Sequence, residues 1–424
     1  MLDRTTGRVD RGGAATPKTS ELLHDWNRDR RPAWGAVQLM DETLRDGLQA
    51  PSVRTPATEV QVALLHHMAG LGIDALNLGY PGSGAQALER VTALAREIAG
   101  QRLAISATCA ARTIAADITP IAQAQQSAGL AIEAAVFLGS SPIRRYVEGW
   151  DMDFLLRTTN DAVVLARRLG MRVMYVTEDT TRSRPGDLRR LYSAAIEAGA
   201  SRICLADTVG HATPRGAGAL VRFARRVVLD SGEPVAIDWH GHRDRDLGVA
   251  NSLAAAEAGA DRLHGCALGI GERCGNTPLD LLMVNLKLLG WIQADLSGLP
   301  AYCRAVAAAV DVDIPRNYPA IGSDAFETST GVHAAAIAKA MGRGDTWLAD
   351  RVYSGVPAAE LGLKQTIKVG PMSGQANVLG WLAAHGRPAA AADVGRVLEA
   401  AKKSDHVLAD SELEALLPTT AAKS

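Results

Sequence analysis

An excess of charge of one sign is missing from this 424-residue chain, whose 45 basic and 46 acidic residues leave a net charge of −1. Such a balance gives no electrostatic purchase on a nucleic-acid backbone or an anionic membrane surface, which removes both as main partners. Long apolar runs are missing too, and no stretch approaches the ~18 residues that a membrane span needs. Cysteine is sparse and scattered: Cys109, Cys204, Cys266, Cys274 and Cys303, odd in number and with no C-x-x-C pair. That excludes a disulfide framework and a structural zinc site of ordinary spacing, and it reads as buried thiols in a reducing compartment. The first twenty residues, MLDRTTGRVDRGGAATPKTS, have no apolar core and mix acids with bases, unlike a secretory signal. Residues 1–34 read as a polar arm, and the protein is expected to be cytoplasmic.

What the chain does have is a repeat. Short β-rich runs recur at 36–41 (AVQLMD), 75–80 (ALNLGY), 103–108 (LAISAT), 131–139 (AIEAAVFLG), 172–177 (RVMYVT), 202–207 (RICLAD), 235–240 (VAIDWH) and 262–268 (RLHGCAL). Between them lie segments of helical periodicity, several ending on glycine, as helix C-termini prefer. Eight β-α units over about 255 residues predict a (β/α)8 TIM barrel over 35–290, followed at 291–424 by a smaller, mostly helical region. A doubly wound open sheet is the competitor, but it would ordinarily carry a glycine-rich phosphate turn after its first strand. Here that turn is DETLRDG.

In a barrel the chemistry collects where the strands end. The first run closes on Asp41, Glu42, Arg45 and Asp46, a crowding that an ordinary solvated turn does not need. The fifth ends in Glu178, Asp179 and Arg182, and the sixth in Asp207, Thr208 and His211. The seventh ends in His240 and His242, and the eighth in Glu272, Arg273 and Asn276. His240 and His242 are two apart, so on an extended strand both imidazoles face one side. Two imidazoles and one carboxylate leave about half of an octahedral shell open, which suits a divalent cation that must also bind a chelating substrate. Asp46 is the candidate carboxylate, with Asn276 helping directly or through water. Arg45 beside it would sit where a carbonyl oxygen gains negative charge. The bland alternatives are a charged turn at strand 1 and two unrelated core or surface histidines.

The motifs DETLRDGLQ, DTVG, HGHRD, ANSLAAAEAGAD and GIGERCGN, in that order, resemble the 2-isopropylmalate, homocitrate and citramalate synthases. The likeness runs over about 37–290 and continues more weakly through TSTGVHAAAI (328–337) and GPMSG (370–374). It implies a metal-dependent Claisen-type condensation: an acyl-CoA, in the first instance acetyl-CoA, attacks the carbonyl of a 2-oxo acid, and CoA is released. It further implies that Asp46, His240, His242 and Asn276 hold Mg, Mn or Zn, that Arg45 polarises the 2-oxo carbonyl, and that Thr208 holds its carboxylate. Glu178 would be the acid at the strand-5 mouth. His333 and Tyr353 would reach the site from a partner subunit, making the protein a homodimer or higher oligomer with shared sites. Amino-acid biosynthesis, of the leucine type, is the implied setting.

The chain departs from that pattern in places. Asn77 stands where the family usually has Glu, so that carboxylate is absent or reassigned. Arg243 replaces an Asn, and GPMSG lacks the usual Lys and His. The related 3-hydroxy-3-methylglutaryl-CoA lyases carry a catalytic Cys in a Gly-Gly-Cys-Pro loop, a context Cys274 does not share, so the synthase reading is preferred. A non-catalytic barrel used as a binding module is the alternative of a different class. Arg144 and Arg145 follow strand 4; pointing inward they favour a dicarboxylic 2-oxo acid such as 2-oxoglutarate, and facing solvent they favour an apolar one such as 2-oxoisovalerate. About 130 residues follow the barrel, short for the large regulatory domain of feedback-inhibited synthases.

Overall fold

The computed structural model describes residues 22–27, 32 and 35–418, so most of the expected polar arm lies outside the described residues. Eight parallel strands close into a barrel: β1 Gln38–Asp41, β2 Ala75–Asn77, β3 Ser106–Arg112, β4 Ile132–Gly139, β5 Val173–Glu178, β6 Arg202–Asp207, β7 Ala236–Gly241 and β8 Arg262–Gly265. The ring shuts where β1 pairs with β8, Gln38 opposite Arg262 and Asp41 opposite Gly265. The expected TIM barrel is therefore the fold. Helices α1 Thr58–Gly70, α2 Ala85–Gln101 and α3 Ala115–Ala128 follow the first three strands. A short α4 Pro142–Glu148 precedes α5 Met152–Arg168, and α6 Pro185–Glu197, α7 Pro214–Ser231, α8 Gly248–Ala258 and α9 Leu279–Leu288 complete the ring.

Three strands differ from the sequence expectation by more than two residues. β3 starts at Ser106 rather than 103 and runs on to Arg112. Its sequence, SATCAAR, has a single β-branched residue, while Leu103 and Ile105 just upstream supply the apolar signal. β2 stops at Asn77 ahead of Gly79 and Pro81, and β8 stops at Gly265, where a 3-10 turn at Ala267–Gly269 bends the chain.

Inside the barrel, Met40, Ala75, Ala135, Met174 and Cys204 form an apolar layer drawn from five strands. Beneath it lies an ionic one. Arg262 donates to Asp238 at 2.7 Å and to Glu133 at 2.8 Å, and Arg202 donates to Asp238 at 2.5 Å. Burying these ions costs several kcal/mol each, so each depends on its partner.

The core around the barrel also takes in residues well past α9. Helix α10 Leu299–Val310 places Leu299, Tyr302, Cys303 and Val306 in it, and Ala358 and Leu361 belong to it as well. Tyr302 donates to Asp41 at 2.5 Å, tying α10 to the end of β1. Beyond lie α11 Gly331–Met341, the short α12 Thr346–Ala349, a two-stranded sheet of β9 Glu327–Thr328 and β10 Thr366–Ile367, and helices α13 Gln375–Ala384, α14 Ala391–Lys403 and α15 Asp410–Ala415. These last helices share a separate apolar cluster built on Val369, Val378, Trp381, Val397 and Leu413.

Candidate active site

The turn after β1 is what makes the site dense. The Arg45 and Gly47 amides both donate to the Glu42 carbonyl at 3.0 Å, coiling the backbone so that Glu42, Arg45 and Asp46 stand on one turn. Arg45 Nε donates to Glu42 Oε2 at 2.7 Å and its Nη1 to Asp46 Oδ2 at 2.9 Å. Burial by itself would raise Glu42, but Arg45 and then His264 outweigh it and hold the carboxyl at about 2. Asp46 goes the same way, well below the ordinary range, chiefly through Arg45 and His240 acting against burial.

His240 and His242 bring their rings beside Asp46 from the end of β7. The two Nε2 atoms are 3.4 Å apart, and they lie 3.5 and 3.8 Å from Asp46 Oδ2. Asn276 donates to Asp46 Oδ1 at 2.7 Å. The loop that carries Asn276 needs glycine at two places. Gly271 and Gly275 take φ of +146° and +102°, and a Cβ on Gly271 would run into the Asn276 amide, one on Gly275 into the Gly269 carbonyl.

A divalent cation fits this donor set. Three lone-pair donors from Asp46, His240 and His242 converge within 4.8 Å. Burial, then the neighbouring His240, lowers His242 to about 4, so its imidazole is neutral and free to ligate near pH 7. His242 Nδ1 and Asn276 Oδ1 are buried with no hydrogen-bond partner among the described residues.

These groups open on a cavity of about 400 Å³. Its far wall is apolar: Ala110, Ala135, Phe137, Val176 and Ala206. Glu178 and Thr208 stand on its rim. Burial pushes the Glu178 carboxyl up, against the pull of Arg144. Thr208 Oγ1 accepts from the Asp179 amide at 2.8 Å, which leaves its own O–H free to donate. Arg144 lines the adjoining cleft with Glu178 and Thr208, is paired with Glu148 at 3.0 Å and is 45 % exposed. Arg145 turns away to Asp187 at 2.8 Å. His333 and Tyr353 stack on each other at 4.0 Å, both exposed, and neither lines this cavity. Asp207 is used by its own loop, its carboxylate accepting from Thr181 and from the His211 and Ala212 amides.

Two groups at the site had no role in the sequence reading. Glu42 was visible in DETLRDG but lacked an assignment, and His264 in RLHG was passed over as part of a strand. With His240 they form a second convergent donor set. His264 Nε2 lies 2.8 Å from Asp238 Oδ2, joining the site to the ionic layer below. The available signal was a lone histidine on a strand otherwise made of apolar and small residues after Arg262.

Comparison with known proteins agrees with this architecture. The sequence profile of the family described as HMGL-like matches residues 36–306. The chain is 33% identical over 309 residues to a 2-isopropylmalate synthase of Methylacidiphilum infernorum, covering 71% of this chain and 60% of that protein. A probable 2-isopropylmalate synthase of Methanopyrus kandleri is 34% identical, covering 72% of this chain and 58% of that one. The chain thus spans about three fifths of the length of these curated relatives. A homocitrate synthase of M. kandleri is 30% identical, with 81% of each chain covered. Among solved structures, an HMG-CoA lyase of Bacillus subtilis superposes with a TM-score of 0.56 at 19% identity, covering 67% of this chain and 97% of that one, a likeness of fold. With its barrel, its strand-end residues and these matches taken together, the chain belongs to the HMGL-like family.

Proposed function

We propose that the protein condenses an acyl-CoA, acetyl-CoA in the first instance, with a 2-oxo acid and then hydrolyses the thioester with water to release CoA and a carboxylate, in the manner of a 2-isopropylmalate synthase. The observation that carries this reading is the convergence of Asp46, His240 and His242 beside Arg45 at the mouth of the barrel. Asp46, His240 and His242, with Asn276 at their side, would hold a divalent cation, which would supply Lewis-acid chemistry to the 2-oxo acid. The Nη1 and Nη2 N–H bonds of Arg45 that Glu42 and Asp46 leave unused are assigned to the oxygen that gains charge during addition, where a fixed donor is worth most. The free O–H of Thr208 donates to the substrate carboxylate. Glu178, its proton affinity raised by burial, holds or takes a proton at the rim of the cavity. His333 and Tyr353, outside this cavity in their own chain, are assigned to the barrel mouth of a second subunit.

The apolar wall of Ala110, Ala135, Phe137 and Val176 supports a 2-oxo acid with an apolar side chain such as 2-oxoisovalerate. Arg145 is committed to Asp187 and adds nothing to this wall. One observation favours a second reading. Arg144 stands in the cleft beside Glu178 and Thr208, within reach of a distal carboxylate, as homocitrate synthesis from 2-oxoglutarate would need. The test is CoA-thiol release from acetyl-CoA with pyruvate, 2-oxoisovalerate, 2-oxoglutarate and phenylpyruvate in turn. Fastest turnover with 2-oxoisovalerate is expected; release with none of the four overturns the reading.

A further inference from the structure

Glu42 has no part in the assignment above, yet it is among the most tightly held side chains of the site. It is 1% exposed. One carboxylate oxygen, Oε2, takes both Arg45 Nε at 2.7 Å and Arg45 Nη2 at 2.6 Å. The other, Oε1, faces Asn77 Nδ2 at 3.3 Å and His264 Nδ1 at 3.4 Å. His264 is anchored from behind by Asp238, which is itself gripped by Arg202 and Arg262. The brace therefore runs from the mouth down into the ionic layer of the barrel.

This arrangement does something specific to Arg45. Its remaining nitrogen, Nη1, donates to Asp46 Oδ2. Glu42 and Asp46 thus clamp two edges of one planar guanidinium, and a plane held along two edges has a single orientation. Left alone, an arginine side chain samples many rotamers, and donors out of line with a reacting oxygen contribute little. Asp46 cannot fix the plane alone, because its oxygens are shared with Asn276 and the two histidines. The strand-2 side of the clamp is neutral, being Asn77, so the negative charge facing Arg45 here comes from strand 1.

We infer that Glu42, braced by His264 and Asp238 and faced by Asn77, is the positioning residue that aims Arg45. The inference rests on the reading of Arg45 as the group acting on the 2-oxo carbonyl. Glu42 touches no substrate in this account. Its effect on turnover passes through the orientation of Arg45.

The decisive comparison is between Glu42→Gln and the exchange E42Q/N77E. Glutamine keeps the size of Glu42 and removes its charge, while the exchange returns a carboxylate to the same spot from strand 2. For Glu42→Gln, kcat should fall about tenfold or more with KM for the 2-oxo acid within about threefold, the pattern of a lost transition-state contact. Bound metal should stay at the wild-type level, and the exchange should recover most of the lost kcat. A readout independent of turnover is the Arg45 Nε–H resonance in a 15N-labelled sample, identified by its loss in Arg45→Lys. It should exchange slowly with solvent in the parent, be lost in Glu42→Gln and return in the exchange. Three results overturn the inference: kcat of Glu42→Gln within twofold of the parent, loss of metal from that variant, or no recovery by an exchange variant that melts as the parent does. If the parent turns over no acyl-CoA with any 2-oxo acid, the functional reading falls by itself. The resonance then decides separately whether Glu42 fixes Arg45.

Discussion

On the side of the mouth built by β1, β7 and β8, nearly every side chain is polar and tied to another. Arg45 has three carboxylate contacts, Asp46 has five partners, and His264 is wedged between Glu42 and Asp238. Across the cavity, β3, β4 and β5 present Ala110, Ala135, Phe137 and Val176, which touch by packing and make no side-chain hydrogen bonds. The first half fixes where charges sit; the second only decides what shape fits. Side chains held by several directional bonds cannot move aside for a new substrate, whereas an alanine wall is reshaped by a single methyl group. The two halves should therefore fail differently when changed.

The largest effect belongs to the polar half. His240→Ala should lose both bound divalent metal and turnover, measured by metal analysis after dialysis and by CoA release, because one imidazole of three donors is gone. Full activity in a metal-free variant would break the division into halves at its centre. Arg45→Ala comes next, with kcat lowered roughly 10²-fold or more, as when one fixed donor to a developing oxyanion is removed. Lysine should restore only part of that, since a point charge does not copy a planar fork. A variant altered in KM alone would move Arg45 out of the transition state.

The apolar half should yield to a substitution that leaves metal content unchanged. Ala135→Leu fills the cavity and should shift preference from 2-oxoisovalerate toward pyruvate by about 10- to 100-fold in kcat/KM, the scale on which a few methylenes count. Equal loss on both substrates would mean that this wall does not set specificity.

His333 and Tyr353 belong to neither half of their own chain's cavity. Mixing inactive His333→Ala with inactive His240→Ala subunits should restore about a quarter of the parent activity, because half of randomly mixed dimers are hybrids with one intact site of two. Hybrids shown to form yet remaining inactive would confine the pair to its own subunit.

The smallest effect is on stability rather than turnover. Burial raises Asp41 from 3.8 to about 6, against its bonds from Thr43 and Tyr302. The folded chain therefore binds a proton there more tightly than the unfolded one does. That contribution is fully present below pH 3.8 and lost as pH rises through 6, at a cost on the order of 3 kcal/mol near neutrality. Asp41→Asn should melt above the parent at pH 7.5, with the gap narrowing as pH falls through 6 and closing only below 3.8. A gap independent of pH would exclude Asp41 as the source.

The polar half was also the legible half. Arg45 and Asp46 sit on one turn, and His240 and His242 share a strand face, so short-range geometry was enough to group them. Glu42 shares the turn of Arg45, but its contacts with Asn77 and His264, like that of His264 with Asp238, join neighbouring strands far apart in sequence. A strand buried on both faces shows no alternation to mark which residue points where. The limits of β3 were misread for a related reason: an alanine-rich strand carries little β signal of its own, and Ser106–Arg112 is specified by pairing with β4. The orientation of Arg144 against Arg145 turns on one short helix, and no periodicity in RRYVE announces which of them would find Asp187.

The bond from Tyr302 to Asp41 spans 261 residues of chain. A ribosome adding ~5–20 residues per second delivers its second partner roughly 10–50 s after the first. For roughly the first three quarters of that interval the nascent chain holds Asp41, Glu42 and Asp46 with neither the histidines of β7 nor the closing strand β8 to receive them. Assembly of the Asp46, His240 and His242 cluster is thus a late event in biosynthesis, and a fragment halted before β7 should be a client for chaperones.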